Sequence, residues 1–455
     1  MKVSSSYGVE IGKKNICFRK TVEIYREACG FLVSVLDSAW EELSLVKGDL
    51  RRFNEAEHMV HTTKRNRARF DFDIRFPKMP SYLRRSAIQF ALGTVSSYHT
   101  RLSMWEKENS RISTACKPSD KADTSGRPVL QAVNHAAPVF YHDVMFKKGA
   151  PDADKAFLKL YDGRDWVWKE VRLKHTDMQY LRKHWTGRKA SAPVLEKHYK
   201  KYFLRFTYTE EVSLPGTPAQ EQTVCAVDLG INTDAVCTAM KSDGTVLARK
   251  FIDFPSEKDH LKHVLGRISR FQREHGPARC KRRWAYAVAL NGELARKTAR
   301  AIVAFAMEQH ADVIVFEHLE MHGKIHGRRK QRLHMWKKDT IQEICTHQAH
   351  RRGIRVSRIC PWNTSALAFD GSGKVERDPG NHSLCRFRNG KQYNCDLSAS
   401  YNIGARYFIR EILKPLPATV RSLLEAEVPS VKRRTSCVYA DLLALNSAIK
   451  KGKAA

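Results

Sequence analysis

Three acidic residues occupy positions from which side chains often carry out metal chemistry. Asp228 ends an apolar run, Glu317 ends a second one, and Asp396 stands at the start of a predicted helix. A carboxylate at the end of a buried strand lies at the edge of a sheet. Because Asp also suits turns and helix caps, each residue alone is a weak indication. Together, three carboxylates on separate elements are what a two-metal phosphoryl-transfer site requires.

The chemistry that such a site performs is hydrolysis of a phosphodiester. Two Mg²⁺ ions about 3.5 to 4 Å apart activate the attacking water and neutralise the leaving oxygen. These hard cations, or Mn²⁺ in their place, take oxygen ligands and keep several waters, so no His is required. We assign Asp228 as the bridging ligand, Glu317 to one metal and Asp396 to the other. An ionised Asp396 is also favoured by the dipole of the helix that it begins.

The elements that position these residues follow a recognisable order. The patterns predict three strands at 223–229, 235–240 and 246–254, a long helical stretch and a strand at 312–317. A helix near 339–352, a strand at 354–359 and the helix that begins at Asp396 complete the order. This is the order of an RNase H-like domain. In that fold, carboxylates at the ends of the first and fourth strands and on the last helix converge.

The first half of the chain has a different pattern. A strand at 2–12 is followed by helical periodicity from about residue 20. A helix is predicted to begin at Ser81 and to bury one apolar stripe, made by Ile88, Leu92, Val95, Tyr98, Leu102 and Trp105. Beyond a linker at 117–127, short alternating segments at 139–146, 156–161, 166–173 and 202–212 predict a small barrel with the helical part inserted after its first strand. We therefore expect a mixed α/β multidomain protein.

The charge of the chain points to a polyanionic partner. The 455 residues carry a formal net charge of +32, with a hydrophobic share of 42% that is ample for buried cores. No run approaches the roughly 18 apolar residues of a spanning helix, and no signal peptide is apparent, so we expect a cytoplasmic protein without membrane contact. The candidate nucleic-acid-binding residues are Lys64, Arg65, Arg67, Arg69, Lys281, Arg282, Arg283, Arg328, Arg329 and Lys330.

The three acidic segments resemble the RuvC motifs of the transposon-encoded nuclease TnpB and of the compact type V CRISPR effectors descended from it. The segments are 228–232 (DLGIN), 313–319 (VIVFEHL) and 396–403 (DLSASYNI). The resemblance implies a wedge-like β-barrel domain at 1–17 and 121–220 and a helical recognition domain at 18–120. It implies a RuvC nuclease domain at 221–359 and 396–420, a zinc-ribbon-like segment at 360–395 and a basic C-terminal tail at 421–455.

The ribbon segment departs from the family pattern. Ala368 and Gly371 stand where the first pair of zinc-binding cysteines would fall. Structural zinc takes four N or S ligands, which Cys360, His382, Cys385 and Cys395 could supply only through an unusual loop. We therefore expect a degenerate, metal-free ribbon that covers the active site. A basic residue of this ribbon, Arg386 or Arg388, is a candidate for contacting the scissile phosphate.

By resemblance, the partners are a guide RNA and double-stranded target DNA, bound as an RNA:DNA heteroduplex and a displaced single strand. The protein would inspect a short flanking duplex motif and act as a monomer or as a homodimer on one guide. Three alternatives stay open: TnpB proper, with a transposon-derived guide; an RNA-guided binder that silences DNA without efficient cleavage; and a guide-free junction-resolving nuclease.

Overall fold

The structure is a computed structural model that describes residues 1–12, 16–115, 126–150, 153–198, 200–319, 335–381 and 383–454. The linker predicted at 117–127 lies mostly outside these residues. The chain divides into two units, Ser4–Glu210 and Glu211–Ala455, the latter including Met1–Val3. The division falls close to the predicted boundary at residue 220. No helix in the described ranges combines the length and the apolar composition needed to cross a membrane.

The unit Ser4–Glu210 contains two three-stranded sheets, with the strand orders β1-β6-β5 and β2-β3-β4. Its strands are β1 (Lys2–Ile11), β2 (Phe146–Lys148), β3 (Lys155–Tyr161), β4 (Trp166–Arg172), β5 (Val194–His198) and β6 (Lys201–Glu211). A single bridge from Ile11 to Leu173 links the two sheets at the edges formed by β1 and β4, and another joins Val194 of β5 to Val139 in the segment before β2. A small barrel requires such links, and its assignment as a wedge domain stays a prediction.

The helices of this unit share one core with its strands. They are α1 (Ile16–Ser38), α2 (Trp40–Leu45), α3 (Asp49–Val60), α4 (Phe72–Arg75), α5 (Ser81–Ala115) and α6 (His175–His184), with a 3-10 turn at Val133–His135. Buried residues of α1, such as Leu32, belong to the same apolar cluster as Leu158 of β3 and Leu204 of β6. The predicted helical domain 18–120 is therefore not separate in the core, because α1 packs on both α5 and β3.

Helix α5 extends beyond this core. Ile88 and Val95 are buried, whereas Leu92 and Trp105 of the predicted core stripe are partly exposed. At 35 residues, α5 is about 50 Å long, and it packs on α1 and α3. The stripe is therefore a core face only in the first half of the helix.

The second unit is built around a five-stranded sheet with the order β11-β10-β7-β8-β9. The strands are β7 (Thr223–Asp228), β8 (Ala235–Lys241), β9 (Val246–Ile252), β10 (Val313–Glu317) and β11 (Arg355–Ile359). β10 runs parallel to β7 and β11, while β7, β8 and β9 are antiparallel neighbours. Each strand matches a predicted strand to within two residues. The central strands β7, β8 and β10 are buried and nearly continuous in hydrophobicity, because helices cover both faces of the sheet there.

Helices cover both faces of the sheet. They are α7 (Pro255–His275), α8 (Lys281–Glu308), α9 (Lys338–His350), α10 (Cys395–Leu413), α11 (Ala418–Glu427) and α12 (Tyr439–Ala454), with 3-10 turns at Pro277–Cys280 and Pro429–Lys432. α8 and α9 pack on one face through residues such as Ile302 and Cys345. α10 packs on the other face together with Leu442 and Leu445 of α12.

Residues 421–455 therefore do not form the basic tail expected from the sequence. Val431, Cys437 and Leu442 are fully buried against α10, and the buried Arg406 side chain donates to the Cys437 carbonyl at 2.8 Å. The Lys and Arg residues of this segment make its composition basic, although apolar residues between them pack in the core beside the sheet. The segment is part of the second unit's core.

A small three-stranded sheet precedes α10 in the sequence. It is formed by β12 (Glu376–Arg377), β13 (Leu384–Arg386) and β14 (Gln392–Asn394), paired antiparallel in that order. We call residues 360–394 the ribbon. Its interior is apolar, with Ala368, Cys385 and Phe387 buried together with Cys395, the first residue of α10.

Candidate metal and active site

The register of two parallel strands places Asp228 and Glu317 side by side. β10 pairs with β7 so that Val313 lies opposite Val224 and Val315 opposite Ala226. The same register, continued by two residues, places Glu317 level with Asp228 on strands about 4.8 Å apart. Side chains alternate between the faces of a strand, so both carboxylates share the face of Ala226 and Val315. That face is the one covered by α10.

The third carboxylate lies on α10 itself. Asp396 is in the first turn of the helix, and the neighbouring Leu397 packs against Val236, the residue that pairs with Asp228 across β7 and β8. The helix is capped by Asn394, whose side chain accepts a hydrogen bond from the Leu397 amide at 2.8 Å. The Asp396 carboxylate is therefore not used as the cap, and it lies beside the two strand ends.

The three acidic groups interact through their charges. Burial, followed by the charges of Glu317 and Asp396, raises the pKa of Asp228 well above its ordinary value, and Arg377 partly opposes this rise. Burial also raises the pKa of Glu317 and of Asp396. Glu317 is 7% exposed, whereas Asp228 and Asp396 are partly exposed. The cluster is thus open to solvent on the side of the two aspartates.

Hydrogen bonds hold Glu317 in place. The Thr364 hydroxyl donates to the Glu317 carboxylate, which lowers the pKa of Glu317 against the effect of burial. Gln342 donates to the Glu317 carbonyl at 3.0 Å. Asn402 of α10 in turn donates to the Thr364 carbonyl at 3.0 Å. Thr364 of the ribbon therefore connects α10 to the end of β10. Sequence reasoning missed this role of Thr364, because a lone threonine in a loop gives no signal of its partner.

The basic residue of the ribbon that interacts with the carboxylates is Arg377. Its charge lowers the pKa of both Asp228 and Asp396. The residues expected from the sequence, Arg386 and Arg388, lie exposed on β13 and in the following turn. Arg377 pairs with Cys385 across β12 and β13, and a two-residue strand in a short ribbon left no periodic signal by which the sequence could have identified it.

The donor chemistry of the cluster fits a hard divalent cation. Its ligands would be carboxylate oxygens, which Mg²⁺ and Mn²⁺ prefer, and a cation would relieve the repulsion that raises the pKa of Asp228. Across the described ranges, no three His, Cys, Asp or Glu side chains are grouped so as to hold a metal ion. Binding therefore requires the three carboxylates to converge further.

Two of the four candidate zinc ligands lie together. The Cys385 thiol is in hydrogen-bonding contact with Cys395, and burial together with this contact raises the pKa of Cys385 to about 12. Cys360 is exposed and lies outside this cluster, and His382 lies outside the described residues. Ala368 and Phe387 fill the ribbon interior around the two cysteines.

The candidate nucleic-acid-binding residues differ in their surroundings. Lys64, Arg65 and Arg67 are all exposed between α3 and α4, while Arg69 forms an ion pair with Glu42 at 3.0 Å. Lys281, Arg282 and Arg283 are exposed in the first turn of α8. Arg328, Arg329 and Lys330 lie outside the described residues.

Comparison with known proteins adds to this geometry. A family model described as the Aq_aa04 family matches residues 5–162, about a third of the chain. No curated protein matches the sequence.

Solved structures resemble nearly the whole chain. The mini-RNA-guided endonuclease CRISPR-Cas_phi3 aligns with a TM-score of 0.50 at 11% identity, over 87% of this chain and 90% of that one. CasPhi-2 (Cas12j) bound to crRNA and phosphorothioate-DNA aligns with a TM-score of 0.50 at 8% identity, over 89% and 91%. The chain thus shares the fold of these two solved structures. This confirms the part of the resemblance that concerns compact type V CRISPR effectors, whereas a specific likeness to TnpB stays a prediction.

Proposed function

We propose that this protein is an RNA-guided, Mg²⁺-dependent DNA endonuclease of the compact type V class. The observation that carries the proposal is the placement of Asp228, Glu317 and Asp396 on one face of the five-stranded sheet, where their charges interact. The type V fold supports it, and the net charge of +32 supports a polyanionic partner.

Each residue of the cluster has a distinct part in the proposed reaction. Asp228, Glu317 and Asp396 would together hold the divalent cations, which when bound would supply an activated water and charge neutralisation at the leaving oxygen. The Thr364 hydroxyl would orient the Glu317 carboxylate through its hydrogen bond, which also favours the ionised form against the effect of burial. Arg377 offers a guanidinium to the scissile phosphate, a group that it can bind in a bidentate manner.

The proposed nucleic-acid partners are those expected of a compact type V effector. The solved neighbours include CasPhi-2 bound to crRNA and DNA. We propose that this chain likewise binds a guide RNA and target DNA, with base pairing reading the sequence and the protein inspecting a short flanking duplex motif. The displaced strand would be the one presented to the carboxylates. Whether one or two copies act on a guide is measured by the mass of the loaded complex.

The proposal is tested in two steps. RNA that copurifies with the protein in low salt is sequenced, and the loaded protein is then incubated with a matching DNA target in Mg²⁺ or in EDTA. We expect a discrete guide RNA and Mg²⁺-dependent cleavage that Asp228→Asn abolishes. Asp259→Asn, which changes an exposed aspartate on α7, is the matched control and retains cleavage. Absence of any copurifying RNA contradicts the proposal.

A second candidate is an RNA-guided protein that silences DNA by occupancy. It is favoured by the lack of a closed metal-ligand group within the described residues. Stable guide-dependent binding without nicking, unchanged by Asp228→Asn, would identify it. Cleavage of branched DNA without RNA would instead identify a junction-resolving nuclease. A CRISPR array beside the gene, as opposed to transposon ends, separates a CRISPR effector from TnpB.

A further inference from the structure

Two polar side chains lie on one buried face of α10. Asn402 and Arg406 are four residues apart, which places them on the same side of the helix, and they are 0% and 2% exposed. Burying a polar side chain costs free energy unless its groups are hydrogen-bonded. The hydrogen-bond partners of both side chains lie outside α10. The pair therefore connects the helix to other segments of the second unit.

Asn402 joins the ribbon to the first residue of α12. Its amide nitrogen donates to the carbonyls of Thr364 at 3.0 Å and Leu367 at 2.9 Å. Its oxygen accepts a hydrogen bond from the Tyr439 amide at 3.0 Å. An asparagine side chain has one donating and one accepting end, and the Tyr439 amide can only donate. Tyr439 therefore fixes the oxygen of Asn402 toward itself and the nitrogen toward the ribbon.

Arg406 makes a second connection between the same two segments. It donates to the Cys360 carbonyl at 2.9 Å and to the Cys437 carbonyl at 2.8 Å. A direct hydrogen bond adds a third connection, since the Ala440 amide donates to the Phe369 carbonyl at 2.9 Å. The residues that lead into α12 therefore hold the ribbon at its first residue and again in its first turns.

The ribbon needs support from outside. Its three strands contain only two or three residues each, and so small a sheet is stable only when it packs on another element or binds a metal. Ala368 and Gly371 stand where the resemblance places zinc-binding cysteines, so these positions cannot hold a metal. A Cβ on Gly371 would instead lie 3.3 Å from the Ala440 Cβ. The start of α12 thus packs where a metal site would otherwise support the ribbon.

We infer that residues 437–440 are a positioning segment of the carboxylate site. Three successive hydrogen bonds lead from the Tyr439 amide to Asn402, from Asn402 to Thr364, and from the Thr364 hydroxyl to the Glu317 carboxylate. Loss of the first bond frees Asn402 to turn, and Thr364 then no longer holds Glu317 in one orientation. The effect on cleavage rests on the proposed function, and the effect on the carboxylates is measured separately.

Packing alone does not require this polar network. Apolar residues such as Val431, Leu442 and Leu445 already hold the end of the chain against α10. Burying an apolar residue at position 402 would cost less free energy than burying an amide. A buried polar network whose members are hydrogen-bonded favours one arrangement of the segments that it joins. The contacts of Asn402 therefore contribute geometry at the ribbon in addition to stability.

The test changes one backbone amide, because deleting the segment would expose the core around it. Tyr439 is the first residue of α12, a position that accepts proline because its amide has no partner within the helix. Tyr439→Pro removes the N–H, whereas Tyr439→Ala removes the same ring and keeps the N–H. Both lose the hydrogen bond from the Tyr439 hydroxyl to the Gly244 carbonyl. The difference between the two variants therefore measures the amide.

Ala418→Pro is the matched control. Ala418 is the exposed first residue of α11, and the backbone of Pro417 before it is already extended, as a residue before proline requires. This variant places proline at the same position of the neighbouring helix, away from the ribbon contacts, and should equal the wild type. Asn402→Leu keeps the side-chain volume and removes the amide, so it should reproduce the losses of Tyr439→Pro.

Two properties of the full chain are compared. Electron paramagnetic resonance of free Mn²⁺ measures Mn²⁺ binding without nucleic acid, and the part lost in Asp228→Asn is assigned to the carboxylates. Single-turnover cleavage by the guide-loaded protein is measured beside its Kd for the target. Relative to Tyr439→Ala, we expect Tyr439→Pro to weaken Mn²⁺ binding and to slow cleavage, each about 10-fold to 100-fold. The Kd for the target should be the same in both.

Three results would overturn the inference. One is equal Mn²⁺ affinity and equal cleavage in Tyr439→Pro and Tyr439→Ala, with or without a lower melting temperature, because a purely structural role changes the melting temperature alone. Another is an equal loss in Ala418→Pro. The third is a loss of target binding as large as the loss of cleavage. Mn²⁺ binding that depends on the Tyr439 amide, in a wild type that cuts no target, would overturn the nuclease function alone.

Discussion

Glu317 lies beside Asp228 because β10 and β7 are parallel neighbours in register, although the two residues are far apart in the sequence. The pairing puts two carboxylates on the face that α10 covers, and Asp396 joins them from the first turn of that helix. The pKa of Asp228 is raised by its burial and by the other two carboxylates, while Arg377 acts on it as the countercharge. Four measurable consequences follow from this arrangement.

Replacing Asp228 by Asn should stabilise the metal-free protein at pH 8. Burial and the neighbouring carboxylates raise the pKa of Asp228 above 3.8, so the folded state binds this proton more tightly than the unfolded state does. Stability is therefore lost as the pH rises from that value through the raised pKa. Each kcal/mol relieved raises the melting temperature by about 2 to 4 °C. Thermal unfolding in EDTA at pH 4 and pH 8 measures the difference.

The gain in stability of the Asp228→Asn variant should vanish near pH 4, where Asp228 is protonated in the folded protein. Added Mg²⁺ should stabilise the wild type more than the Asp228→Asn variant, because the cation relieves the same repulsion. Asp259→Asn, on an exposed site, should leave the melting temperature unchanged at both pH values. An Asp228→Asn variant that is less stable than the wild type at pH 8 would show that the carboxylates do not repel one another.

Thr364→Val should move the acidic limb of the cleavage profile to higher pH. The Thr364 hydroxyl donates to the Glu317 carboxylate and lowers the pKa of Glu317. Without this hydroxyl, burial raises the pKa of Glu317 further, and a smaller fraction of Glu317 is ionised. A hydrogen bond to a charged group contributes about 1.5 to 3 kcal/mol, which corresponds to a loss of about tenfold or more at neutral pH. Thr364→Ser keeps the hydroxyl and should restore the profile. An unshifted Thr364→Val profile would exclude this role.

Arg377→Ala should reduce cleavage about a hundredfold if its guanidinium faces the reacting phosphate. The same change should shift the profile to higher pH, since Arg377 lowers the pKa of Asp228 and Asp396. Arg386→Ala is the control, because Arg386 lies exposed on the adjacent strand, opposite Glu376. Equal losses in the two variants would mean that the ribbon contributes only general positive charge.

Gly404→Ala should destabilise the second unit by about 1 to 3 kcal/mol. An added Cβ would lie 2.0 Å from the Met240 sulfur and 3.2 Å from the Ala226 Cβ, both fully buried, so α10 cannot approach β7 and β8 as closely. Gly292→Ala on α8 meets only the Arg296 guanidinium at 3.6 Å and should gain about 0.5 to 1 kcal/mol. Urea unfolding compares them. A Gly404→Ala protein as stable as the wild type would contradict this packing.

Much of the second unit could be predicted from the sequence. β7, β8 and β10 are short, mostly apolar runs with sharp ends, and such runs can be identified from the local sequence alone. The first unit was harder to predict. β5 and α6 were missed because Val194–His198 and His175–His184 contain few buried residues and show little periodicity.

The residues around the carboxylates were less predictable than the carboxylates themselves. Thr364 and Arg377 lie in the ribbon, where short strands and turns give no repeating pattern. Arg386 and Arg388 were chosen from the same segment by charge alone, and the structure leaves them exposed. The C-terminal segment was predicted to be a tail because its charge masked the spacing of Val431, Leu442 and Leu445, which are buried.

The sequence by itself determined where carboxylates end the strands of this protein, since strand propensity and hydrophobic runs are local properties. It also determined the excess of positive charge, which is a matter of composition. Only the tertiary structure decided that Glu317 aligns with Asp228, that Thr364 bonds Glu317, and that Arg377 acts on the cluster. These relationships depend on strand register and on packing between distant segments, and no local pattern encodes them.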